Sequence, residues 1–275
     1  MILKSKQIEH AVLNSNLSEN FRNDPFPHLE VLDFIDDSVM KELVKDFPSE
    51  HEFSSAKTLK SRATHNIYYT DSLFRDLINR SEAWRKLYEF INSKDFLAYF
   101  MSHFKGHLID LGYQHNVEKI RFKEHLESRE EISHSSHIRR LRGLFFDPFT
   151  KNNYSVFSRL DLSLGGMGYG KPPHADNENR LGGAVLYLNS ADETETVGGD
   201  FQVWGVKDEY KTENLGRIPD REKLELQHSY PFRRNSALFF PCHDRSYHSV
   251  GEITSQKEKR KFLYLSLSFK SHNVW

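Results

Sequence analysis

The chain has 275 residues, 37% hydrophobic and 28% charged, with 38 Lys+Arg against 39 Asp+Glu. That balance excludes a global electrostatic attraction to nucleic acid or to an acidic membrane, and no run approaches the ~18 apolar residues a bilayer span needs. A single cysteine, Cys242, excludes an intrachain disulfide and a cysteine-based zinc site; with Met1 to Lys6 lacking a signal-peptide core, a cytoplasmic protein is expected.

Residues 1–24 are polar and weakly patterned, and are expected to form a loosely attached arm or a short helix. Pro25-Phe26-Pro27 then introduces a strand over His28–Ile35, with Leu29 and Val31 on one face. Asp36, Asp37 and Ser38 offer N-cap oxygens for a helix to about Phe47, stopped by Pro48. A second helical region is predicted over about 71–91, and a third begins after Ser93 and ends at Gly112. The Met and aromatic stripe of that third helix reads as core packing.

Beyond about residue 117 the texture changes. A polar stretch, 124–142, contains Arg139-Arg140-Arg142, which reads as a solvated loop before it reads as an anion site. Short period-two runs follow, separated by Gly, Pro and Asn: 156–164, Ala184–Leu188, Phe201–Trp204, Ser236–Phe240 and Phe262–Phe269. Arg159, Asp161 and Ser163 share one face of the first run, either lining a pocket or exposed. Helices followed by strands predict one α+β unit spanning 1–275: helical support and an entry strand over 1–115, then an all-β core, a β-sandwich or a jelly roll, over 116–275. Gly165 to Gly170 precedes a strand instead of opening a helix, so it reads as a flexible lip and not as a dinucleotide fingerprint.

Chemistry concentrates in two places. Pro172-Pro173-His174-Ala175-Asp176 puts an imidazole and a carboxylate two residues apart, on one side of an extended chain, a donor pair suited to a first-row divalent metal. A lone His-x-Asp is commonplace in a chain with 15 histidines, so it needs company. Downstream, Phe239-Phe240-Pro241 ends a strand, and Tyr247-His248-Ser249-Val250 re-enters the sheet. Between them stand Tyr187-Leu188-Asn189 and Gly198-Gly199-Asp200, and Arg260-Lys261 opens the last strand.

Taken in order over about 155–270, these pieces resemble the iron(II)/2-oxoglutarate-dependent oxygenases, and within them the prolyl-4-hydroxylase-like group. The resemblance implies a double-stranded β-helix (cupin-like jelly roll) with supporting N-terminal helices. It also implies His174, Asp176 and His248 as metal ligands, with iron(II), 2-oxoglutarate and dioxygen as cofactor and cosubstrates and ascorbate in a supporting role. Arg260 would hold the far carboxylate of 2-oxoglutarate and Tyr187 would donate to it, Lys261 being the alternative because one residue of phase flips the face. The implied reaction is hydroxylation of an unactivated C–H bond with succinate and carbon dioxide as coproducts, since Asp176 fills the position that related halogenases vacate. The substrate is expected to be a small molecule in preference to a protein prolyl residue. The competing readings are a non-catalytic cupin-like binding module, and the same iron centre used for desaturation or cyclisation. His243 is expected at the pocket rim as a turn residue, Arg180 as a solvated side chain before a residue of the pocket lip, and Arg245 as a surface charge before a substrate contact.

Overall fold

A computed structural model describes residues 12–55, 64–113, 116–125, 154–269 and 273–275. The basic run Arg139-Arg140-Arg142 lies outside the described residues. Two sheets, antiparallel except where β4 pairs parallel with β5, face each other over an aromatic core, and a layer of helices covers the outer face of the larger one.

Strand β1 (Ser18–Arg22) pairs antiparallel with β2 (His28–Leu32), so this part of the expected arm is an edge strand. Strand β2 stops short of Ile35 because Asp33 turns into the left-handed region at φ 55°. Asp36 then caps α1 (Asp37–Lys45), its carboxylate accepting from the Ser38 and Val39 amides as the sequence predicts. A short α2 (Glu50–Ser55) and strand β3 (Thr64–Ile67) follow.

The helical region predicted over 71–91 is two helices, α3 (Ser72–Arg80) and α4 (Glu82–Ile91). Ser81 breaks the run, because it is extended and its hydroxyl caps α4 through the Trp84 amide. Helix α5 (Lys94–Asp110) is capped by Ser93, and Gly112 turns away beyond it at φ 75°.

The remaining strands are β4 (Arg121–Phe122), β5 (Ser155–Gly165), β6 (Lys171–His174), β7 (Arg180–Tyr187), β8 (Phe201–Val206), β9 (Leu224–Tyr230), β10 (Ala237–Pro241), β11 (His248–Val250) and β12 (Arg260–Phe269). A short helix, α6 (Ala191–Thr194), sits between β7 and β8. The larger sheet runs β1-β2-β10-β7-β12-β5-β3, with β4 beside β5, and the smaller runs β6-β11-β8-β9. Strands β5 to β12 therefore interleave as β5-β12-β7-β10 against β6-β11-β8-β9, the double-stranded β-helix arrangement.

Period two sorts the side chains. Leu160, Leu162, Leu164, Leu186, Leu263 and Leu265 pack against the helices, with Trp84, Phe100 and Phe104. Their alternates Val185, Tyr187, Leu238, Phe240 and Phe262 join Phe201 and Val203 of the smaller sheet in the inner core. Helix α5 lies so close to β7 that a Cβ at Gly182 would stand 2.2 Å from the Phe100 ring, so glycine is required there. Among the described residues, no helix is long and apolar enough to cross a membrane.

His28 of β2 ties the two sheets together. Its Nδ1 donates to the Phe26 carbonyl (2.8 Å), which leaves Nε2 to accept from the Tyr230 hydroxyl of β9 (2.7 Å). Burial pushes the imidazole down to about 4, partly opposed by the Phe26 carbonyl. As pH falls from 6.5 towards 4, the unfolded chain takes up a proton that the folded chain does not, so stability should fall by up to roughly 3 kcal/mol. Urea midpoints measured across that window should decline less steeply in His28→Gln than in the parent.

Candidate active site

The open end of the jelly roll is shaped by one register. In the antiparallel pairing of β6 with β11, His174 lies directly opposite His248. Their ring centroids are 4.4 Å apart. Each ring is oriented from behind, His174 Nδ1 donating to the Pro172 carbonyl and His248 Nδ1 to the Ser246 carbonyl, both at 3.0 Å. The Nε2 atoms are thereby left as the lone-pair donors. Phe201 stacks on His248 with ring centroids 5.4 Å apart, and Phe240 packs at 4.5 Å.

Asp176 follows two residues after β6, its Oδ1 4.0 Å from His174 Nε2. Ligating atoms of His174, Asp176 and His248 all lie within 4.8 Å of one another, so the structure brings these three side chains together. Both oxygens of Asp176 also have donors. Arg180 Nη1 reaches Oδ1 at 2.5 Å, Tyr264 Oη reaches Oδ2 at 3.1 Å, and Cys242 Sγ lies 3.7 Å from Oδ2. Burial alone would raise the Asp176 pKa, but the Arg180 guanidinium and the Lys171 ammonium hold it well below the usual range. Burial together with the neighbouring His248 and Lys171 pushes His174 down to about 2, and burial lowers His248 as well. Two neutral imidazoles and one ionised carboxylate are the donor set that suits a divalent first-row metal with coordination positions left open.

Arg260 enters the inner core at the start of β12, 1% exposed. Its Nη2 donates to the Tyr187 hydroxyl at 3.1 Å, while Nε and Nη1 are buried with no hydrogen-bond partner. Tyr169, Tyr187, Phe232 and Phe262 surround the guanidinium, with ring centroids 4.4–5.7 Å from its central carbon. A buried cation with orphaned donors is a strong demand for an anion, and a planar guanidinium meets a carboxylate in bidentate fashion. Lys261, one residue on, faces the opposite way, its ammonium 5.9 Å from the Phe47 ring on the helical side.

A cavity of about 430 Å³ adjoins this site, and Tyr169 and Phe262 belong both to its wall and to the surround of Arg260. Arg159, Asp161 and Ser163 line it, which settles their face of β5 as the inner one. Arg180 lines the cavity too, the lip position that stood second to solvent in the sequence, because Asp176 draws it inward. Arg245 keeps its expected exposure, and half-buried His243 lies against Trp275 with ring centroids 6.4 Å apart. Lys171 and Tyr264 were not singled out in the sequence. Tyr264 shares the period-two phase of Arg260, a signal that was available; Lys171 has no comparable one.

A jelly roll carrying two histidines and one carboxylate at its open end is the arrangement of non-haem iron oxygenases. Residues 160–265 match the family model of the 2OG-Fe(II) oxygenase superfamily. No curated protein matches the chain in sequence. Similar solved structures include a prolyl 4-hydroxylase from Phytophthora capsici (14% identity, TM-score 0.43, covering 88% of this chain and 58% of that one). Another is a Trichoplax adhaerens prolyl hydroxylase in complex with a hypoxia-inducible-factor peptide (14%, TM-score 0.45, 88% and 83%). A third is SnoK, a carbocyclase from nogalamycin biosynthesis (11%, TM-score 0.45, 88% and 79%). This chain thus spans little more than half of the Phytophthora protein, and at these TM-scores none of the likenesses specifies a substrate.

Ligand-free protein bears the cost of burying the Arg260 charge without an anion. Arg260→Met should therefore leave its melting temperature unchanged or raise it, measured by calorimetry without 2-oxoglutarate. A marked fall would mean that the guanidinium is a structural member of the core.

Proposed function

We propose that the chain is an iron(II)- and 2-oxoglutarate-dependent hydroxylase of an unactivated C–H bond in a small molecule. The observation that carries this reading is the buried, orphaned guanidinium of Arg260 beside the His174, Asp176 and His248 cluster. In this reading the three side chains hold iron, and Arg260 with Tyr187 holds the far carboxylate of 2-oxoglutarate. The bound iron supplies the oxidation: 2-oxoglutarate and dioxygen become succinate and carbon dioxide while one oxygen atom enters the substrate C–H bond.

The chain's own residues position and exclude. The carbonyls of Pro172 and Ser246 fix the two ring tautomers. Arg180 and Tyr264 fix the rotation of the Asp176 carboxylate. Phe201, Phe232, Phe240 and Phe262 keep water from the space between the sheets. The cavity volume favours a small molecule over a folded protein surface. The whole chain acts as one unit in this reading, the helices stiffening the sheet that bears Arg260. A single buried cysteine, Cys242, suits a reducing compartment, the cytoplasm.

Succinate release from 2-oxoglutarate, with iron(II) and with ascorbate to keep the iron reduced, tests the reading without knowledge of the substrate. His174→Ala and Asp176→Ala should each lower it by more than the roughly 10–100-fold that outer-shell changes cost, and should lower the iron retained on gel filtration. Parent protein that retains iron yet forms no succinate would favour the non-catalytic binding module. In a titration of 2-oxoglutarate, Arg260→Met should weaken binding about 10–100-fold, while Lys261→Met should not. The opposite ranking would move the carboxylate-binding role to Lys261.

A further inference from the structure

Pairing of β6 with β11 places His174 and His248, but Asp176 stands two residues beyond the end of β6, past the last pair of that ladder. Its backbone is held instead by the connection between β8 and β9, residues 207–223, which carries short 3-10 turns at Asp208–Tyr210 and Arg221–Lys223. The Ala175 amide donates to the Arg217 carbonyl at 2.8 Å. Arg217 Nε donates in return to the Asp176 carbonyl at 3.1 Å. One residue thus grips the peptide groups on either side of the Ala175-Asp176 pair.

The same connection reaches the segment that leads to His248. The Tyr247 hydroxyl donates to the Gly216 carbonyl at 2.8 Å, and Arg245 Nη2 donates to the Glu213 carbonyl at 3.3 Å. Ala175 lies between His174 and Asp176, and Tyr247 precedes His248, so in extended backbone both point away from the ligands. Both are buried there in a small cluster with Trp204 and Leu224, against which Leu215 of the connection packs. Trp204 in turn follows Val203, the register partner of His248. The connection therefore braces the site from behind.

We propose that Arg217 is a positioning residue of the metal centre, fixing the backbone of Asp176 so that its carboxylate meets an ion held by His174 and His248. Through Gly216 and Leu215 the same connection ties the two ligand-bearing segments into one unit. The inference rests on the reading of these three side chains as metal ligands, and it concerns a side chain that acts only through the main chain of one of them. Backbone ordered in advance spares the ion that cost, so loss of the Nε bond is felt first in metal affinity.

Manganese(II) alone is the probe, added to the full chain, with the free ion counted by electron paramagnetic resonance. Arg217→Met keeps the aliphatic stem and removes the donor. It should weaken manganese binding about tenfold or more, and Arg217→Lys, which retains a donor, should recover part of the loss. Visible spectra with saturating cobalt(II) read the ligand geometry: the bands should shift in Arg217→Met and return towards the parent in Arg217→Lys. The control is Arg221→Met, which removes from the same connection a guanidinium lying 5.3 Å from the Trp204 ring centroid and should change neither readout. Parent affinity and parent bands in Arg217→Met, or equal losses in Arg217→Met and Arg221→Met, would overturn the proposal. His174→Ala is titrated alongside. If it binds manganese as the parent does, or if the parent binds none, the ligand reading fails and takes this inference with it. If His174→Ala loses the ion while Arg217→Met matches the parent, the positioning role alone is lost.

Discussion

The site depends on a backbone register. His174 and His248 are far apart in sequence, yet they stand opposite each other because β6 and β11 pair antiparallel at that position. Directly opposed side chains in such a pair have Cβ atoms about 4.5–5.5 Å apart, so the ladder sets the separation of the two imidazoles before any metal arrives. A slip of one residue would send one ring to the other face and leave Asp176 with a single partner. The carbonyls of Pro172 and Ser246 then select the tautomer, so fold and donor chemistry are fixed by the same few residues.

The same period-two logic aims the last strand. Leu263, Leu265 and Leu267 of β12 are drawn to the helical layer, which forces Arg260, Phe262 and Tyr264 into the space between the sheets. The chain accepts the cost of a buried guanidinium there and softens it with four aromatic faces and one phenol, not with a carboxylate of its own. That choice makes sense physically only if the neutralising anion comes from outside. The helices matter to function through this route: by claiming the leucines, they set the phase of Arg260.

Much of this was legible in the sequence. The Asp36 and Ser93 caps and the strand runs from residue 156 onward follow from local chemistry that acts within a few residues, whereas the order of the site residues is what the family resemblance implies. What local chemistry could not supply was the phase of β12 at its first residue, since Arg260 and Lys261 are both cationic and only the packing of Leu263 and Leu265 separates them. Strand β9 was missed because its LELQHSY run has one buried face only at its two ends, and the rest of its side chains are exposed or half-buried. Ser81 was read through as helix because the apolar stripe continues across it, whereas the break is set by its extended backbone. The sequence leaves Arg180 between solvent and the pocket lip, because its attraction to Asp176 is a tertiary contact and a charge in a polar stretch carries no mark of it.

The charge arrangement around Asp176 has a consequence for how the site fills. Arg180 and the Tyr264 hydroxyl each engage one oxygen of that carboxylate, so it is tied to fixed donors before a metal is present. Such donors limit its rotation and draw off part of its negative charge, which weakens its pull on a cation while fixing where the cation must sit. Affinity then has to come from the two imidazoles, whose burial keeps them neutral and their lone pairs exposed to the site. In the proposed reading the dianionic 2-oxoglutarate would offset the positive charge of the metal and of Arg260. Metal and cosubstrate would then be coupled through electrostatics, each improving the setting for the other.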